Sequence, residues 1–205
     1  SSRLIIGRSQ VRVLLGPPSV PATHKLLGDE GGCRSVCDAR CARCVVSMLS
    51  DQICEAADAV STGYERLILL VGSSSARRSA VLRQAADDHA WEYVNLSLRL
   101  AERMLGLSAQ ERPGRAFDLV REILGEARRG VACLDNIELL FEPSLQLDPL
   151  ALLQSLSRQT TLVVAWPGDV MDDGDARRLT HAESSHPEYR EYPAQGLILL
   201  SVPAE

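Results

Sequence analysis

Apolar positions along this chain follow two rhythms. Short continuous runs such as Leu67-Ile68-Leu69-Leu70-Val71 and Val131-Ala132-Cys133-Leu134 alternate with stretches in which apolar residues recur every three or four positions. The runs predict strands at 66–71, 92–96, 131–135, 161–166 and 197–202. The helical spacing predicts helices over 79–89, 98–107, 116–128 and 150–156, with Pro113-Gly114 separating the middle two. Leu49, Ile53, Ala56, Ala57 and Val60 predict a further helix over 49–64, and residues 168–183 read as a polar loop. Strands that are apolar throughout, separated by helices, imply a parallel sheet covered on both faces. The expected fold is a three-layer α/β domain with five parallel strands, spanning residues 48–205. Residues 1–47 break the rhythm with Gly16-Pro17-Pro18, Pro21, Gly28 and Gly31-Gly32. They read as an N-terminal extension, either a flexible arm or a wrongly assigned start.

The first strand runs into Gly72-Ser73-Ser74-Ser75-Ala76-Arg77-Arg78-Ser79, a loop of small residues that opens a helix. Unpaired N–H groups at a helix start carry partial positive charge and attract anions. The phosphate-binding P-loop reads Gly, four variable residues, Gly, Lys, then Ser or Thr. Gly72 and Ser79 stand at the matching positions, but Arg77 replaces the second glycine and Arg78 the lysine. Arg78 keeps the charge in a bulkier planar fork. A side chain at Arg77 costs about 1–2 kcal/mol if left-handed dihedrals are needed there. The competing reading is a plain strand–turn–helix connection.

Val131-Ala132-Cys133-Leu134-Asp135 adds a second element, a short apolar strand ending in a carboxylate, as a Walker B strand does. In that arrangement Asp135 orders a magnesium shell and Ser79 is a direct ligand. Asn136 stands where many hydrolases place a glutamate, which leaves Glu138 as the candidate to polarise a water. Together the two elements predict a P-loop NTPase-like domain. Gly72 to Ser79 would cradle the phosphates of ATP, Arg78 would contact the terminal ones, and Ser79 with Asp135 would hold Mg²⁺.

Several stretches extend the pattern: Tyr64-Glu65-Arg66 leading into the first strand, Leu134-Asp135-Asn136-Ile137-Glu138-Leu139-Leu140-Phe141, Asp148-Pro149-Leu150 leading to Leu156-Ser157-Arg158, the strand from Thr161 to Trp166, and His186-Pro187-Glu188-Tyr189-Arg190 with Tyr192-Pro193. Across about residues 48–202 the sequence resembles the BrxF-like P-loop proteins of bacteriophage-exclusion (BREX) defence systems of the third type. The resemblance implies an accessory nucleotide-binding subunit that works with larger phage-defence proteins. It departs from the family at Arg77 and Arg78, and Pro167 stands where a polar sensor residue would be expected. Active ATP hydrolysis, and a nucleotide-independent assembly module, are the alternatives.

Composition narrows the classes further. Net charge is −5, but residues 1–47 hold seven basic and three acidic residues, leaving 15 basic and 24 acidic for 48–205. An acidic domain disfavours direct phosphate-backbone binding, so nucleic acid is expected only through partners. No apolar run approaches the roughly 18–20 residues of a membrane span. No signal peptide of the usual form is present, which places the expectation in the cytoplasm without a membrane partner. Reduced thiols or metal ligands are then expected in place of disulfides. Cys33, Cys37, Cys41 and Cys44 could form a looped zinc knuckle, or sit together by coincidence; one helix could not bring all four to a single ion. The His186–Arg190 stretch reads as a partner or nucleotide contact, or as a turn fixed by Pro187 with Tyr189 packed on a sheet edge. Arg158 reads as an arginine finger toward a neighbouring subunit, or as a helix C-terminal charge cap; a homo-oligomer is one possible assembly. Trp91 and Trp166 read as core or edge packing.

Overall fold

Leu67–Val71 (β1) is buried at all five positions, and so is Thr161–Ala165 (β4). A strand can be apolar on both sides only if both its faces are covered, and here they are. Our computed structural model describes residues 42–126, 130–172, 177–182, 186 and 188–203. Its main sheet has five parallel strands in the order β2-β3-β4-β1-β8, with β2 at Glu92–Asn95, β3 at Val131–Asp135 and β8 at Ile198–Ser201. The strand alternation divides the core in two. Leu67, Leu69 and Val71 point to one face, and Ile68 and Leu70 to the other.

The second of these faces is covered by Ala42–Val60 (α1) and Ser75–His89 (α2). They meet through small side chains, Ala56 and Ala57 on α1 and Ala85 and Ala86 on α2, which let the helices approach. Buried Ser50 donates from Oγ to Asp88 at 2.8 Å across the same contact. The opposite face is covered by Leu96–Met104 (α3), Arg112–Glu126 (α4) and Pro149–Ser157 (α5). Asn95 caps α3 by accepting from the Leu98 N–H, and Asp148 caps α5 by accepting from the Ala151 N–H. A fully buried leucine such as Leu69, Leu100 or Leu153 contributes about 1.5–3 kcal/mol.

The α/β class and the five-stranded parallel sheet agree with the sequence reading, while several boundaries move. β1 begins at Leu67, β2 ends at Asn95, β4 ends at Ala165 and β8 covers only Ile198–Ser201. The N-terminal helix starts at Ala42, ahead of the expected 48–49 boundary, and ends at Val60. Pro113-Gly114 does not separate two helices. It lies in the first turn of α4, where the missing proline N–H costs nothing because that donor has no intrahelical partner. The largest correction concerns 168–183, expected as a loop. Val170–Asp172 (β5) and Arg177–His181 (β6), with Arg190–Pro193 (β7), form a second, antiparallel sheet. Leu179 and Tyr192 anchor it to the main core, and Trp166 Nε1 donates to the Thr180 carbonyl at 2.7 Å. Phe141 and Tyr192 meet Trp166 edge-on, at 5.1 and 5.3 Å between ring centres.

Cys33, Cys37 and Cys41 lie outside the described residues, as does most of the extension. Among the described residues no cluster of three or more His, Cys, Asp or Glu is placed to hold a metal, and no helix is long and apolar enough to cross a membrane.

Candidate functional site

The C-terminal ends of β1 and β3 are separated in the sheet only by β4. In open α/β sheets the crevice beyond such strand ends is where ligands bind. Both sequence-predicted motifs therefore open on one edge of the domain, and the details of each differ from the expectation.

At the end of β1, Gly72 has φ +149°, and a Cβ there would come within 2.4 Å of the Val202 carbonyl oxygen. Its N–H donates to the Gly168 carbonyl at 3.3 Å. Ser73 and Ser74 make the turn, and Ser74 is the N-cap, extended at φ −92° and ψ 106°. The helix starts at Ser75, not at Ser79 as the sequence suggested. Ser74 explains the early start: its Oγ accepts from the Arg77 N–H at 3.4 Å, and its carbonyl takes the Arg78 N–H at 3.1 Å. The N–H groups left to meet an anion are those of Ser75 and Ala76, with Arg77 shared. Ser79 stands in the second turn of α2 and not at its mouth.

The two arginines turn back onto the strand ends. Arg77 donates from Nη1 to the Pro203 carbonyl at 2.9 Å. Arg78 is only 5 % exposed and donates from Nη1 to the Gly72 carbonyl, while its buried Nε has no protein partner among the described residues. Burial lowers the pKa of the guanidinium, and the carboxylates of Glu138, Asp169 and Asp135 work in the other direction. An arginine stays protonated through such a shift, so Arg78 is a buried cation held on the Gly72 carbonyl.

At the end of β3, Asp135 is 2 % exposed. Its Oδ2 accepts from the Tyr93 hydroxyl at 2.5 Å and its Oδ1 from the Asn136 N–H at 2.9 Å. Tyr93 accepts in turn from Arg83 Nε at 3.0 Å, and the Arg83 guanidinium sits 5.1 Å from the centre of the Tyr93 ring. Burial raises the Tyr93 pKa and the bond to Asp135 raises it further, while Arg83 opposes both. Asn136 adopts φ +50°, a conformation asparagine tolerates better than most residues. Glu138 is exposed at the start of the 3₁₀ turn Glu138–Phe141.

The structure thus brings Gly72, Arg78 and Asp135 to one edge, and leaves Ser79 a turn behind it. Sequence reasoning missed Tyr93, Arg83 and Asp169. Parallel register pairs Tyr93 with Cys133 and Asn95 with Asp135, so these positions share a face. Only the register, which no motif reports, could have found Tyr93. Arg158 is the C-cap residue of α5, and its guanidinium pairs with Glu65 at 3.3 Å and with the Tyr64 ring at 4.7 Å. Trp166 is core, as expected, and Trp91 is half-buried beside His89 at 4.7 Å. Tyr189 lies just before β7 and donates to Glu191 at 2.7 Å; Pro187 lies outside the described residues.

The donor set does not suit magnesium, which takes a near-octahedral oxygen shell at about 2.0–2.1 Å and usually keeps several waters. Asp135 is buried and holds a donor on each oxygen, and Ser79 is displaced along the helix. No family profile, curated protein or solved structure matches the chain.

Proposed function

We propose that this protein is an accessory nucleotide-binding subunit of a phage-exclusion defence system, with a degenerate phosphate loop that binds ATP without turning it over efficiently. One observation carries the nucleotide part: the N-terminus of the fifteen-residue α2 and the buried Arg78 lie at the strand-end edge of the sheet, where Asp135 closes β3. The defence part rests on the resemblance in residues 48–202 and on the larger proteins it implies as partners. Efficient turnover is not expected, because Asn136 stands where many hydrolases place a glutamate and Glu138 lies exposed at the start of a 3₁₀ turn.

A second reading, the nucleotide-independent assembly module, is favoured by the bond from Arg78 to the Gly72 carbonyl, which holds the side chain across the loop. Calorimetric titration of ATP with Mg²⁺ into the full chain separates the two. Ser75→Pro is the matched control. Proline at the first helical position removes one anion-facing N–H, and Ser74 is already in the extended conformation a following proline requires. Saturable binding that weakens at least about tenfold in Ser75→Pro is expected. No binding at about millimolar ATP, with the protein folded, would leave the assembly module.

A further inference from the structure

Asp135 ends β3, where the phosphate-loop pattern expects a carboxylate that orders magnesium. Its surroundings give it a different task. β2 is the outermost strand of the main sheet and spans only Glu92–Asn95, with β3 its one strand neighbour among the described residues. A strand of four residues paired on one side is held by few ladder bonds, and such edges open before the centre of a sheet does.

Three side chains add to that hold. Parallel register sets Tyr93 beside Cys133 and Asn95 beside Asp135, so the Tyr93 side chain reaches two residues along β3 on the shared face. Its hydroxyl donates to Asp135 Oδ2 at 2.5 Å. Arg83, on α2, donates from Nε to the same hydroxyl at 3.0 Å, with its guanidinium 5.1 Å from the ring centre. Asp135 Oδ1 accepts the Asn136 N–H at 2.9 Å, which fixes the rotation of the carboxylate. The chain of bonds runs from exposed Arg83 through half-buried Tyr93 to Asp135, which is 2 % exposed. A buried carboxylate is costly unless hydrogen-bonded, and bonds to a charged acceptor are the stronger kind. About four acceptor sites on a carboxylate leave two beyond these bonds, but an ion that keeps its waters also needs room for them, and the burial leaves none.

From this disagreement between the motif and its surroundings we infer that Asp135 is an anchor: it ties the edge strand β2 and the helix α2 to β3 through Tyr93 and Arg83, and takes no divalent cation. This role holds whether or not the protein binds ATP.

Two experiments on the full chain test it. In the first, amide hydrogen exchange is compared in the wild type, Tyr93→Phe, Asp135→Asn and the double variant. The β2 amides should exchange at least about tenfold faster in each single variant, and those of β4 should change less. The double variant should be about as fast as the faster single one, because both substitutions remove the same bond. Equal acceleration of β2 and β4, or single effects that multiply in the double, overturns the anchor. Arg83→Met, at the exposed end, retains the fold and should also quicken β2; unchanged exchange there removes α2 from the anchor. In the second experiment, manganese alone and then manganese with ATP is titrated and followed by electron paramagnetic resonance. Bound manganese that is lost in Asp135→Asn overturns the inference. No bound manganese, or the same amount in both proteins, is expected. Failure to bind ATP would remove the nucleotide reading above and leave the anchor standing.

Discussion

His181 is an imidazole held where a proton is unwelcome. Its ring stacks on Phe141 at 3.6 Å and 13°, and its Nδ1 lies 3.1 Å from the Pro167 carbonyl. Burial lowers its pKa below the ordinary value; the Pro167 carbonyl, Glu188 and Glu138 oppose that, and Arg190 adds to it. With the folded pKa below the unfolded one, the unfolded chain takes up the proton first as pH falls. The stabilising contribution is therefore complete above about pH 6.5 and is lost as pH drops through the folded value. Urea midpoints between about pH 7 and about pH 5 should fall more steeply for the wild type than for His181→Phe, which keeps the stack. Parallel curves would falsify this assignment. At this scale the sequence was informative where a residue's role follows from its own strand or helix, as for Trp166 in the core and Arg158 at a helix end. It was silent on Tyr93 and Arg83, whose roles depend on which strand lies beside β3.

Elements were legible in proportion to how much of their pattern is local. β3 was found at its true bounds because an apolar run between a glycine and an aspartate admits little else. The start of α2 was missed because a phosphate-loop pattern and a serine N-cap compete for the same residues, and Ser74 resolved the competition by capping. The second sheet was missed because its strands are short and mostly polar. β5 exposes two of its three residues, and β6 opens with Arg177-Arg178, each paired with a carboxylate across the ladder. Gly72 shows how an element's needs can coincide with a motif's. It sits where a phosphate loop wants glycine, yet the contact that forbids a side chain is with the Val202 backbone, whose N–H donates to Val71. Gly72→Ala should therefore cost at least about 1–3 kcal/mol by forcing β8 away from β1. Gly196→Ala is the comparison, since its φ of +80° carries only backbone strain, about 1–2 kcal/mol, with nothing within 4 Å of a new Cβ. Denaturant unfolding of the two variants reads the difference, and an equal loss would remove the steric explanation.

For the whole molecule, layering and sheet class could be read from the alternation of runs and periods, whereas strand order could not, because nothing in a run names its neighbours. The domain is acidic overall, with 15 basic and 24 acidic residues over 48–205, which disfavours direct binding to a phosphate backbone. If the proposed defence role holds, omitting this chain from a host that carries the other defence proteins should raise phage plaque formation. If Ser75→Pro behaves as the wild type does in that assay while omission does not, the subunit acts by assembly alone. Strand order has a further consequence, for synthesis. β1 is an interior strand of the sheet, and Leu67 meets Leu162 on one side and Ile68 meets Ile198 on the other, both made long after it. As the chain leaves the ribosome, Leu67–Val71 emerges as a bare apolar strand with two unsatisfied edges. One is paired only when β4 arrives and the other only when β8 does. The most deeply buried strand of the finished protein is thus the one that spends longest unprotected during its making, and a ribosome stalled before residue 198 would release a chain primed to associate through that edge.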